Sequence, residues 1–164
     1  MQIETDSPIF VRMGQISERR DGCSIQGTLD VIGDRWTLLI LRDLFRGVRR
    51  FSQLEDNLGI AKNLLASRLS KLVAADIVTK IPYHDKPIRH EYFLTQKGRD
   101  LSPSLVALMR WGDRWCNDRT PPTLLVHSEC GTPLNQITQC PTCDESLDPD
   151  EIRSRPGPGA SVGS

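Results

Sequence analysis

The run from Ile60 to Val73 limits the fold of this chain more than any other, because it reads as a short helix with two different faces. Leu65, Leu69, Leu72 and Val73 recur at helical spacing and make one apolar stripe. Roughly opposite lie Lys62, Asn63, Ala66, Ser67 and Ser70, small or polar side chains with a single cation among them. Small side chains let a backbone come close to a partner, while Lys and Asn reach further. Such a face suits the major groove of DNA.

The flanks extend the pattern. Phe51 to Leu58 predicts another short amphipathic helix with a turn at Gly59, and Ser52 followed three residues later by Glu55 has the spacing of a capping box. Helix, tight turn, helix is the helix-turn-helix plan. Downstream, Ile77 to Tyr83 and His90 to Thr95 read as two β-strands, joined by His84 to Arg89, which holds a Pro and the cations Lys86 and Arg89. A basic hairpin after a recognition helix makes a winged helix. The expected class is therefore mainly α with a small β-hairpin wing (α+β), and a plain helical bundle with a surface hairpin is the blander alternative.

The rest of the chain fits around this centre. Residues 1–22 lack sustained periodicity and read as a flexible arm. A helix is expected from Ser24 to Ile32, with Ser24 as N-cap and Gly33 as its stop. Another is expected from Arg35 to about Arg46, with the broad apolar set Trp36, Leu39, Ile40, Leu44 and Phe45. After the wing a long helix is expected from about Asp100 to Asn117, carrying Leu101, Leu105, Leu108, Met109, Trp111 and Trp115. That is more apolar surface than a small three-helix core needs, so a matching helix of a second subunit is a natural use. Roofing of its own domain is the simpler one.

Charge supports the same centre. The formal net charge is +0, yet residues 35–99 hold 13 Lys and Arg against 6 Asp and Glu. A local basic excess matters for phosphate binding more than the total does. No apolar run approaches the ~18 residues of a membrane span, and the start lacks the basic-then-apolar layout of a signal peptide. Five Cys, an odd number, suit a reducing cytoplasm better than a disulfide scaffold.

Several runs together resemble the HxlR-type winged helix-turn-helix transcriptional regulators. They are Cys23-Ser24-Ile25, Leu29 through Leu44 with Gly33-Asp34-Arg35-Trp36, Arg49-Arg50-Phe51-Ser52-Gln53-Leu54, Arg68-Leu69, and Pro87, Arg89, Glu91-Tyr92, Leu94-Thr95 and Gly98. The resemblance covers about residues 23–115. It implies a cytoplasmic homodimer, joined through terminal helices, that binds a palindrome-like double-stranded DNA operator. Three positions depart from the family pattern. Cys23-Ser24 stands for Cys-Pro, Gly33-Asp34-Arg35-Trp36 for Gly-Gly-Lys-Trp, and Asp76 for the usual turn Gly, though Asp tolerates left-handed geometry.

Lys62, Asn63 and Ser67 are the candidates for groove contacts, since Asn can pair with adenine and Lys can donate to guanine. Arg68 either joins them or, because its helical angle falls beside the apolar stripe, pins two helices together. Lys86 and Arg89 in the wing and Arg35 at a helix start are candidates for phosphate or minor-groove contact, with surface salt bridges as the alternative. Cys23 precedes a helix, whose positive dipole end suits a reactive thiol, and the resemblance implies a redox or electrophile sensor there. Cys116, at the end of a helix, reads as packing.

The tail carries a separate pattern. His127-x-x-Cys130 and, nine residues on, Cys140-x-x-Cys143 can converge on one structural Zn2+, with Gly131 and Pro141-Thr142 suiting tight ligand-bearing turns. A disulfide among these thiols and an unliganded loop are the other readings. The domain plan is an arm over 1–22, a winged-helix and dimerisation domain over 23–118, a zinc-ribbon-like tail over 119–153 and disorder over 154–164. No nucleophile–base pair, phosphate loop or open metal site points to an enzyme, and no residue pattern names a small-molecule effector. A winged helix acting as a protein-interaction module, with the tail as docking surface, is the alternative to a DNA-binding regulator.

Overall fold

The computed structural model describes residues 23–159. The arm expected over 1–22, and residues 160–164 of the segment expected to lack order, lie outside the described residues.

Helix α1 (Ser24–Ile32) starts from Cys23, not Ser24: the backbone leaves the extended region at Cys23 (φ −70°, ψ 116°), so the N-cap falls one residue earlier than expected. Only Ile32 of α1 is buried, and Gly33 is its C-cap. Helix α2 (Arg35–Phe45) is the hub. Its N-cap, Asp34, accepts hydrogen bonds from the backbone N–H groups of Trp36 and Thr37, each at 3.1 Å. Ile40 and Leu41 are fully buried, and Leu41 lies outside the apolar set expected for this helix. Asp43 is buried too; its Oδ1 takes Arg42 Nε at 2.9 Å, and its Oδ2 has no partner.

Helices α3 (Phe51–Leu58) and α4 (Lys62–Ala74) pack against α2. The expected Ser52–Glu55 capping box does not form, because Ser52 already lies inside α3. Arg50 is the N-cap, and its N–H donates to Gln53 Oε1 at 3.3 Å. Gly59 ends α3 in the left-handed region at φ 60°, where a side chain would be strained. The stripe read from the sequence points inward: Leu65, Leu69 and Leu72 are buried, and Val73 is half-buried. Burying a Leu is worth about 1.5–3 kcal/mol relative to leaving it exposed, so this stripe fixes the rotation of α4 about its axis.

Asp76 takes φ 56° and turns the chain into the wing. Strands β1 (Val78–Asp85) and β2 (Ile88–Leu94) pair antiparallel from Val78↔Leu94 to Asp85↔Ile88, with an irregularity between Pro82 and His84. Both reach further toward the tip than expected, leaving Lys86-Pro87 as the connection. The loop before α3 adds a short edge to the hairpin: Tyr92 N–H donates to Arg49 O at 2.9 Å, and Arg50 bridges Glu91.

The wing is tied to its base by Thr95, whose hydroxyl donates to Asp76 O at 2.7 Å and accepts from Gly98 N–H at 3.1 Å. Any Cβ at Gly98 would lie 2.2 Å from Ile77 O, so only glycine fits. The long helix expected from about Asp100 to Asn117 is α6 (Ser102–Trp115), with Pro103 in its first turn as its missing N–H allows, and a short helix, α5 (Gln96–Arg99), precedes it where only the end of the wing was expected. Asp118 and Arg119, both at positive φ, turn the chain into a tail whose described residues form the β-bridges Val126↔Pro133 and Gln139↔Ser146 and a short 3-10 turn at Pro149–Glu151.

Candidate nucleic-acid interface

The face of α4 opposite its Leu stripe is free of the chain's own packing: Lys62, Asn63, Ala66, Ser67 and Ser70 are all exposed. Lys62 makes a long ion pair, its Nζ 3.9 Å from Glu55 Oε1, and its side chain stays 78% exposed. Asn63 Oδ1 accepts the Leu64 N–H at 2.8 Å, so its amide donors are free, and its acceptor is released only by giving up that local bond. The N-cap, Ala61, offers no side-chain acceptor, so the Lys62 and Asn63 amides stand uncapped at the helix's positive end.

Arg68 is placed differently. Its Nε lies 3.0 Å from Asp34 Oδ1, and its side chain is only 21% exposed. It therefore braces the middle of α4 against the start of α2. Burial works against the ionised form of Asp34, but hydrogen bonds from the Thr37 hydroxyl and amide, the Arg68 charge and the Trp36 amide outweigh it. Together they hold the carboxyl below its ordinary 3.8. Arg35, next to this brace, is exposed with its guanidinium 5.0 Å from the Trp36 ring centre.

In the wing, Lys86 and Arg89 are exposed at and beside the tip. Sequence reasoning passed over Arg49 and Arg50 as loop residues, yet they add two cations to the base of the wing. Arg50 pairs with Glu91 at 2.9 Å and stacks over Tyr83 at 4.6 Å, and Arg49 lies over Phe93 at 4.4 Å. Two adjacent Arg just before a helix-turn-helix were the available clue.

Away from α4 and the wing, two helices leave apolar faces uncovered. On α1, Ile25 is 70% and Leu29 53% exposed; on α6, Leu108 is 55%, Trp111 62% and Trp115 61% exposed. Cys23 and Cys116 are both exposed free thiols.

In the tail, the structure brings the expected ligands together in pairs. His127 Nδ1 lies 3.3 Å from Cys130 Sγ, and Cys130 Sγ lies 3.2 Å from the Thr132 hydroxyl. The hydroxyl and amide of Thr132 pull the Cys130 thiol below its ordinary 9.0. The Cys143 amide, then its thiol and the Thr142 amide, bring Cys140 down to about 7. Among the described residues no three His, Cys, Asp or Glu side chains stand together as a metal-holding set, so the two pairs remain two pairs.

Against known proteins, residues 31–120 match the HxlR-like helix-turn-helix family. An HTH-type transcriptional regulator of Mycobacterium tuberculosis is 43% identical over 148 residues, covering 90% of this chain and 94% of the relative. Among solved structures, the candidate transcription factor PA1607 superposes with a TM-score of 0.73 at 35% identity, over 85% of this chain and 98% of its own. The redox regulator HypR in its oxidised form superposes with a TM-score of 0.52 at 33% identity, over 56% of this chain and 96% of its own.

Proposed function

Because the chain belongs to the HxlR-like helix-turn-helix family of transcriptional regulators, we propose that it binds a palindrome-like operator as a homodimer, α4 in the major groove and the wing on the flanking backbone. The observation that carries this is the free polar face of α4, held outward by three buried Leu and flanked by an exposed basic hairpin. Lys62, Asn63 and Ser67 take the groove contacts, and Arg35, Lys86 and Arg89 take phosphates or the minor groove. Arg68 acts from behind, as a brace.

The uncovered apolar faces of α1 and α6 supply the dimer contact. Two-fold pairing would set the two α4 helices about one DNA turn, roughly 34 Å, apart. Among the described residues no helix is long and apolar enough to cross a membrane, and a regulator of this kind works on DNA in the cytoplasm. Cys23, exposed at the start of α1, lies beside this dimer contact, and we assign it a redox-sensing role on that placement and on the likeness to HypR.

The test is binding to DNA from the chain's own upstream region across a salt series, with sedimentation of the free protein. Affinity should fall steeply with salt, as expected for phosphate contacts. Asn63→Ala should cost on the order of 1–3 kcal/mol per half-site and relax base preference at one position of each. Replacing Trp111 and Trp115 together by Ala should give a monomer with much weaker operator binding. Salt-independent binding, an unaltered base preference, or an unchanged dimer would each overturn the part it tests.

A further inference from the structure

The tail contains the same backbone unit twice, displaced by 13 residues. His127 N–H donates to Thr132 O and Gly131 N–H to His127 O; correspondingly, Cys140 N–H donates to Glu145 O and Asp144 N–H to Cys140 O. Leu134 N–H donates to Leu125 O, and Leu147 N–H to Thr138 O. The β-bridges Val126↔Pro133 and Gln139↔Ser146 match in the same way. Gly131 and Asp144, in equivalent places, take the left-handed φ values of 70° and 60°. Each unit is thus a tight hairpin whose turn presents two side chains, three residues apart, to the same side: His127 with Cys130, and Cys140 with Cys143.

The separation within the first pair fits one purpose well. Tetrahedral Zn2+ with bonds of about 2.0 Å to nitrogen and 2.3 Å to sulfur holds two such ligands ~3.5 Å apart, and His127 Nδ1 lies 3.3 Å from Cys130 Sγ. In the second pair Cys140 and Cys143 occupy the places of His127 and Cys130 in an equivalent hairpin, closed by the matching Asp144 N–H to Cys140 O bond at 2.9 Å. Each hairpin is therefore a half-site, and neither alone supplies the four ligands of a closed centre. The tail also lacks a core: Leu124, Val126, Leu134, Ile137 and Ile152 are all exposed. Two well-formed turns without buried apolar side chains need a crosslink, such as a metal, to hold them together.

We propose that the two hairpins close on a single structural Zn2+ held by His127, Cys130, Cys140 and Cys143. The connecting segment is itself fastened to α6, by Arg110 on Leu134 O at 3.2 Å and Gln136 on Pro103 O at 2.7 Å. Closure therefore fixes the tail against the helix that carries Trp111 and Trp115. No open coordination position remains, so the centre stabilises and does not catalyse.

The full-length protein is assayed for metal by mass spectrometry, for free thiols with a coloured thiol reagent, and after cobalt exchange for a thiolate-to-metal absorption band. The expected result is about one zinc per chain surviving dialysis, Cys23 and Cys116 reactive, and the other three thiols reactive only after chelation. Cys143→Ser should lower retained metal about tenfold or more, whereas Cys143→His should keep it with an altered cobalt spectrum. Cys23→Ser and Cys116→Ser should leave the metal content unchanged. Binding of upstream DNA by each variant reports that the winged helix is folded. Zinc far below one per chain with all thiols reactive, or a chain lighter by two hydrogens from a disulfide in the tail, would overturn the proposal.

Discussion

Asp34 offers the sharpest test of how α4 is held in place, because one carboxylate does two separable jobs. It caps α2 through the Trp36 and Thr37 amides, and it takes Arg68 from α4 at 3.0 Å. Replacing an N-cap Asp by Ala typically costs about 0.5–2 kcal/mol, by Gly only a few tenths, and by Asn almost nothing. The ion pair is partly exposed, with side chains 21% and 37% accessible, so solvent screening limits it to about 0–1 kcal/mol. Asp34→Ala should therefore lose about 0.5–3 kcal/mol, at ~4–8 °C of Tm per kcal/mol for a domain of this size. Asp34→Asn should lose the pair and the Thr37 hydroxyl's bond to a charged acceptor, and Asp34→Gly these plus a little.

The pH dependence follows from the same contacts. The folded carboxyl titrates below its ordinary 3.8, so its stabilisation is present above that value and is lost as pH falls through the lowered folded one. The Tm gap between the native chain and Asp34→Asn should close on acidification. Thermal melts of the series at neutral and acid pH, with Arg68→Ala to complete a double-mutant cycle, measure each part. A gap that persists unchanged into acid, or zero coupling between Asp34 and Arg68, would refute the brace.

Three further outcomes are expected. Arg89→Ala should make the log–log salt dependence of operator binding shallower by about two, as loss of one phosphate contact from each subunit of the proposed homodimer requires; an unchanged slope removes Arg89 from the interface. Leu69→Ala should cost about 2–5 kcal/mol in a urea melt, since Leu69 is 1% exposed in the centre of the core; a loss under 1 kcal/mol would mean the stripe does not set the position of α4. Oxidant should change operator affinity in the native chain and not in Cys23→Ser, measured by anisotropy; equal responses would end the sensor reading.

What the sequence made legible was what repeats at short range. The Leu spacing of α4 placed its two faces, and the two strand-like runs on either side of Lys86-Pro87 placed the wing. The misses arose where the outcome depends on where a backbone turns. Ser24 and Ser52 both looked like caps, yet the chain bends one residue earlier at Cys23 and two earlier at Arg50, which puts both Ser inside helices. Asp34, at a position where the resembling family has Gly, gave no hint of its partner, because Arg68 lies 34 residues on and meets it only through packing. The duplicated hairpin escaped notice since its two copies share few residue types; Cys130 with Cys143 and Leu134 with Leu147 are the identical pairs at its spacing.

These features sort the chain into a finished part and an unfinished one. The elements proposed to read DNA are fixed from within: α4 by its buried Leu residues and the Asp34–Arg68 brace, and the wing by Thr95, Gly98 and the Arg50–Glu91 pair. The surfaces of α1, α6 and the tail expose large apolar side chains. In the proposed homodimer and zinc centre, those surfaces would be covered by a second copy and the tail tied down by a metal, beside a reader that is already fixed. A signal acting on the proposed dimer contact or metal centre would then change the spacing of the two α4 helices without having to deform either one.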